Sequence, residues 1–308
     1  MIRKLAGGLL AAAVLLTVLS GVGAAGAGTL VDATGKETTV TGARRVVAVG
    51  GSVTEIVYAL GLGERLLAVD STSLYPAAAR QLPNVGYMRQ LSAEPILALG
   101  PDLVLAIEDA GPQAALDQLR DAGLPVVLIP DEPTPEGALA KIDLVAAALD
   151  AGPAGRALRI ELEVKLQAVR EAFAQVDARP RVLFLLSIGN GRVPMAAGRD
   201  TSAAGIIELA GGENAIDAFE SYKPLSPEAA VAAAPEVLLV TTRSLDLLGG
   251  REGLLQIPEI ALTPAGRKGN IVVMDSLLLL GFGPRTAAAA AELGKRLHPA
   301  ITVPLRSP

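Results

Sequence analysis

The chain has no cysteine among its 308 residues. That excludes disulfides, thiolate metal sites, a Cys nucleophile and the lipidated Cys that would tether a lipoprotein. Tryptophan is also missing and aromatics make up only 3% of the chain, so a core has to be built from Leu, Val, Ile and Ala. Histidine occurs once, as His298, near the end of the last helical stretch, where a terminal His is ordinary; it reads as structural. Positive charge is in the minority. Of 27 basic side chains, Arg3 and Lys4 fall in the leading segment, leaving 25 against 32 acidic ones and no basic arm, a balance that argues against non-specific nucleic-acid binding. Beyond the leading segment neither a full G-x-G-x-x-G nor a P-loop Lys pattern is present.

What the chain does have is apolar bulk: 51% hydrophobic against 19% charged residues, far from the profile of a disordered chain. Its length exceeds that of one usual domain, so two compact units are expected. Residues 1–27 read as a signal peptide, because Arg3 and Lys4 precede the apolar run Leu9 to Leu19 and a small-residue finish through Gly23, Ala24, Ala25, Gly26 and Ala27. Cleavage is expected after Ala25 or Ala27; the alternative is a membrane anchor. The mature product is expected to be soluble and monomeric.

Residues 30–40 alternate β-prone runs with turn residues and read as a hairpin. Val46 to Val49 then forms a short apolar run ending at Gly50-Gly51-Ser52, and Val53 to Leu60 has helical spacing. Leu66 to Asp70, Leu103 to Ile107 and Val126 to Ile129 are further buried-strand candidates. This alternation predicts parallel sheets covered by helices.

An internal echo is the most informative feature. Leu91-Ser92-Ala93-Glu94-Pro95-Ile96 and onward through Pro101-Asp102-Leu103-Val104-Leu105 matches Leu225-Ser226-Pro227-Glu228-Ala229-Ala230 through Pro235-Glu236-Val237-Leu238-Leu239 at an offset of 134. In each copy Ser is placed to cap a short helix and Pro-Asp or Pro-Glu opens the next buried strand. Upstream, Arg45 to Val49 pairs with Arg181 to Leu186. Two similar lobes follow. Between them Leu158, Leu162, Leu166, Val169 and Phe173 recur at helical intervals. The expected architecture is α/β: two Rossmann-like lobes, 28–150 and 179–308, joined by a long α-helix within 151–178, with a ligand cleft between the lobes.

Two α/β lobes, a helical connector, a signal peptide and paired Ser-x-Glu helices resemble the substrate-binding proteins of ABC importers for haem, cobalamin and iron-siderophores. Four stretches resemble the haem-binding (haemin) branch: Asp70-Ser71-Thr72-Ser73-Leu74-Tyr75-Pro76, residues 82–89 (Leu82 to Arg89), residues 191–199 (Gly191 to Arg199) and Leu280-Gly281-Phe282-Gly283-Pro284-Arg285-Thr286. The resemblance implies a periplasmic protein that captures haem and delivers it to an importer permease in the inner membrane.

On that reading Tyr75 is the expected iron ligand, since ferric iron is hard and phenolate oxygen suits it. Tyr75 follows a predicted strand, and ligands of open α/β sheets bind beyond the carboxyl ends of strands. A free phenol is mostly protonated at neutral pH, so a cation is needed; Arg243, set opposite Asp109 by the 134-residue offset, is the candidate. Arg89 and Lys223 are candidates for the haem propionates. Met88, Met195 and Phe282 are candidates to cover the porphyrin faces. The resemblance assigns Glu94 and Glu228, one per lobe, to docking on permease Arg residues. The rival readings are a cobalamin or siderophore binder of the same architecture and an exported α/β enzyme. The enzyme rests on Gly50-Gly51-Ser52, which follows a strand and opens a helix, an arrangement able to hold phosphate.

Overall fold

A computed structural model describes residues 28–186 and 195–305. The expected signal peptide, 1–27, and the Gly191 to Pro194 part of the third motif lie outside the described residues. The hairpin pairs Gly28–Val31 with Glu37–Val40 in antiparallel register. Its turn is held by the Asp32 carboxylate, which accepts from the Thr34 amide and hydroxyl and from the Lys36 amide.

The N-terminal lobe is built on four parallel strands in the order Leu66–Val69, Val46–Val49, Leu103–Ile107, Val126–Ile129. Every residue of the last three is buried, as expected of a parallel sheet with helices on both faces. The C-terminal lobe repeats the parallel frame with Arg181–Leu186, Val237–Thr241 and Ile271–Met274. It departs from the expected uniform pattern at one edge. There Glu213–Asn214 runs parallel to the start of Arg181–Leu186, while Met195–Ala197 and Tyr222–Pro224 add two antiparallel strands.

The echo has a hydrogen-bonded cause. In the first lobe the Arg45 and Asp102 backbones bond each other, the Arg45 amide donating to the Asp102 carboxylate, while the Arg45 guanidinium donates to the carbonyls of Leu99 and Gly100. In the second lobe Arg181 meets Glu236 in the same way and its Nε donates to Ala233 O at 3.0 Å. Each Arg thus satisfies carbonyls left over at the end of a short helix, Ala93–Ala98 or Pro227–Ala232, and clasps that helix to the next strand. Capping differs between the copies. Ser226 accepts from the Ala229 amide, but Ser92 makes no side-chain cap bond, a correction to the expectation that both would.

The connecting helix is Gly152–Phe173, 22 residues or about 33 Å long. Leu162, Leu166, Val169 and Phe173 form its buried stripe. Buried apolar side chains run without a break from the first sheet through this helix to one face of the second sheet, where Val182, Phe184 and Leu239 point; Leu183, Leu185, Leu238 and Val240 form a separate core on the other face. His298 closes the far end of the connector, its ring 5.7 Å from that of Phe173 and its Nε2 3.1 Å from the Gly211 carbonyl oxygen. Among the described residues no helix is long and apolar enough to cross a membrane.

Candidate functional site

A cleft of about 1040 Å³ opens between the lobes, at the upper end of the usual range for ligand pockets. Its wall comes from the carboxyl ends of strands in both sheets: Gly50, Ser71 and Ile107 on one side, Leu186 and Thr241 on the other, as open α/β sheets dictate. Ile107, Leu186, Leu277 and Leu280 give it apolar surface, and Arg89, Asp109 and Arg243 give it charge.

The Gly50-Gly51 turn does not present free amides to this space. Gly50 donates to the Asp70 carboxylate at 3.0 Å and Gly51 to the Thr72 hydroxyl at 2.9 Å. Side chains are excluded there as well. Gly50 has φ +107, and a Cβ on Gly51 would lie 2.5 Å from the Thr72 carbonyl oxygen and 2.6 Å from the Leu277 side chain. The turn lets a second-lobe leucine close on the first lobe, and the Gly50 and Gly51 amides are engaged by first-lobe side chains.

Asp70 is the hub of the segment that carries Tyr75. Buried at 1% exposure, its carboxylate also accepts from the Thr72 amide and hydroxyl and from the Ser73 hydroxyl, which in turn bonds the Thr54 hydroxyl at 2.7 Å. Arg80 donates to the Leu74 carbonyl at 2.8 Å. Leu74 lines the cleft, and the next residue, Tyr75, is 45% exposed.

The cation on Tyr75 is Arg285, whose guanidinium carbon lies 3.7 Å from the ring centroid, within cation–π range. Arg285 is held by Glu55 through two bonds, Nε to Oε1 at 3.0 Å and Nη2 to Oε2 at 2.8 Å, the bidentate geometry favoured by guanidinium and carboxylate. Glu55 is almost fully buried. Burial works against the Arg285 charge, but the Glu55 hydrogen bonds and charge, followed by Tyr75 and Asp275, hold its pKa above the ordinary value. Sequence reasoning quoted Arg285 inside a motif and gave it no role; its partner lies 230 positions away.

The other expected site residues divide. Met88, Arg89 and Arg243 line the cleft. Arg89 donates to the Tyr87 phenol oxygen at 2.8 Å and to Asp109 at 2.6 Å. Burial opposes its charge and these two partners raise its pKa on balance. Arg243 lies in the first turn of the helix Thr242–Leu247 rather than at a strand end, and is exposed without an ion-pair partner among the described residues. Lys223 does not line the cleft; its ammonium sits 5.3 Å from the Phe219 ring. Met195 is half-buried on the antiparallel edge, opposite Leu186 and Pro224.

Phe282 requires a correction. It is 2% exposed, has φ +44, and points at Gly205, where a Cβ would lie 3.0 Å from its ring and close on the Pro133 carbonyl. It is a wedge in the core between the lobes and cannot cover a ligand in the cleft.

Tyr222, the neighbour of Lys223 just before the second clasped helix, lines the cleft. Burial raises its phenol pKa more than hydrogen bonds with Ala203 and Thr201 lower it, so it stays protonated. Glu94 and Glu228 are exposed in the first turns of their clasped helices. Among the described residues no cluster of three or more His, Asp or Glu is arranged to hold a metal ion.

Two α/β lobes with a continuous core and a cleft at the strand ends define a solute-binding protein, and the chain belongs to the periplasmic binding protein family, whose model matches residues 46–278. Two solved structures are similar throughout. The periplasmic heme-binding protein RhuT from Roseiflexus sp. RS-1, in apo form, is 43% identical with a TM-score of 0.81, covering 84% of this chain and 99% of that one. A periplasmic heme-binding protein from Pseudomonas aeruginosa is 35% identical with a TM-score of 0.78, covering 84% and 94%. The vitamin B12-binding protein of Yersinia pestis (strain Pestoides F) is 32% identical over 208 residues, 65% of this chain and 70% of its own length.

Proposed function

We propose that this protein captures haem in the periplasm as a monomer and delivers it to an ABC-type importer of the inner membrane. The observation that carries the reading is Tyr75, an exposed phenol next to a cleft-lining residue, with a fixed guanidinium on its ring face. A large flat apolar molecule with anionic edges matches a cleft of aliphatic wall and arginine rim. The heme-binding relatives span nearly the whole described chain.

Tyr75 oxygen binds the ferric iron, and Arg285 supplies the positive charge that favours an anionic ligand there. Arg243, unpaired among the described residues, takes a propionate. Arg89 takes the other only in competition with Asp109. Met88 contacts the porphyrin face. Glu94 and Glu228 dock the loaded protein onto basic residues of the permease.

The vitamin B12-binding relative favours a second reading, a cobalamin carrier with the same cleft. Titrating the purified mature protein with haemin and, separately, cyanocobalamin decides between them. Haem capture gives saturable haemin binding with a Tyr-ligated ferric absorption spectrum. Binding of cyanocobalamin and none of haemin would overturn the proposal.

A further inference from the structure

The two clasped helices offer more than a carboxylate each. On Ala93–Ala98, Ile96 is fully buried while Glu94 and Leu97 face outward; on Pro227–Ala232, 134 residues later, Ala230 is fully buried while Glu228 and Val231 face outward. Leu97 is 37% and Val231 45% exposed. Single exposed aliphatics are ordinary. These two, however, are the one pair among the exposed large apolar side chains of the described residues that the internal repeat relates.

Residues three apart on a helix have Cβ atoms about 5–6 Å from each other, so each lobe shows the same two-part surface, a carboxylate with an aliphatic side chain one turn on. The equivalence is three-dimensional. Arg45 and Arg181 fix the two helices to their strands through matching bonds to the carbonyls of Leu99 and Ala233. Both helices follow cleft-lining segments along the chain, Tyr87 to Gln90 and Tyr222. Neither Glu has an ion-pair partner among the described residues.

We propose that Glu94 with Leu97 and Glu228 with Val231 are two copies of one contact. Their partner is the periplasmic face of the importer's membrane permease, which presents twice a basic side chain beside an apolar pocket. The inference rests on the docking role proposed above for the two carboxylates and adds a division of labour. The carboxylates steer the encounter and set register, whereas the aliphatic pair, desolvated only in the complex, sets how long it lasts.

The test measures association and dissociation rates of haem-loaded protein on the permease–ATPase complex in lipid nanodiscs, at two salt concentrations. Leu97→Ser with Val231→Ser is expected to keep the haemin spectrum and the association rate while speeding dissociation about 10- to 100-fold, with little salt dependence. Each single variant is expected to give a comparable share. Glu94→Gln with Glu228→Gln is expected to slow association and flatten its salt dependence. An unchanged dissociation rate in the aliphatic double variant overturns the inference, and so does an effect confined to one lobe. Wild-type kinetics in the carboxylate double variant instead overturns the docking role of Glu94 and Glu228.

Discussion

The two lobes share a frame and differ in what they hang on it. Both run an arginine-clasped short helix into a buried parallel strand, with Asp102 and Glu236 making the same backbone bond. Between its second and third matched strands the first lobe has one helix, Gln113–Asp121, where the second has four short ones between Thr242 and Lys268. The first lobe brings to the cleft Ser71, Thr72 and Leu74, which lie between the Asp70 hub and Tyr75, and the Tyr87, Arg89 and Asp109 group; the second brings Tyr222, Arg243 and the aliphatic pair Leu277 and Leu280. The repeated parts are those that hold helix to strand, and the parts that diverge face the cleft. A doubled scaffold therefore leaves the cleft free to be asymmetric, with Arg89 paired to Asp109 on one side and, on the other, Arg243 without an ion-pair partner among the described residues.

The largest effect that would break this picture lies where the lobes meet. Glu55→Gln leaves Arg285 half-buried without its counter-charge and is expected to cost about 3–5 kcal/mol, read as a lower urea midpoint, and to weaken haemin binding as well. A stability loss without any change in haemin affinity would mean that Arg285 serves the interface alone.

Next come the matched inner positions of the clasped helices. Ile96→Ala is expected to destabilise the protein by about 2–5 kcal/mol through the cavity it leaves. The reciprocal Ala230→Ile overpacks the second lobe and is expected to cost about 1–3 kcal/mol. Equal tolerance of both by thermal melting would show that the two helices sit on similarly loose cores.

Tyr75→Phe and Tyr222→Phe compare the two phenols. The first is expected to lower haemin affinity about 10- to 100-fold, the scale on which metal-site partners act, and to abolish the Tyr-ligated spectrum; the second is expected to leave the spectrum unchanged. Loss of that spectrum in Tyr222→Phe would move the ligand to the second lobe. The smallest effect is at the caps. Ser226→Ala is expected to cost about 1 kcal/mol and Ser92→Ala nothing measurable, since only Ser226 holds a helix amide.

Much of the frame was legible because it is local. Apolar runs such as Val46 to Val49 become buried strands, and Leu162, Leu166, Val169 and Phe173 mark one helix face. The repeat was legible because its clasp needs Arg, Pro and an acid at fixed separations. Placement of Tyr75 beside a cleft residue follows from its position after a strand. What was not legible depends on distant partners. Nothing near Glu55 in sequence announces Arg285. Phe282 sits between two glycines in a stretch resembling a ligand motif, and only the opposing Gly205 and Pro133 turn it into a wedge. The antiparallel edge was missed because Met195–Ala197 and Tyr222–Pro224 are three residues each, too short for an alternating pattern to register.

The unbroken core described above has a thermodynamic reading. Two domains joined by a flexible tether melt as two events, each with its own midpoint and enthalpy. Here Phe282, the connecting helix and the buried Lys141, whose ammonium bonds Asp131 and, at 3.1 Å, the Gly281 carbonyl, commit both lobes to one cooperative unit. Heating is then expected to give a single all-or-none transition, with equal calorimetric and van't Hoff enthalpies as the check. A ligand bound in the cleft raises the melting point of the whole molecule by mass action, so thermal shift becomes a direct way to ask whether haemin, cyanocobalamin or neither is bound.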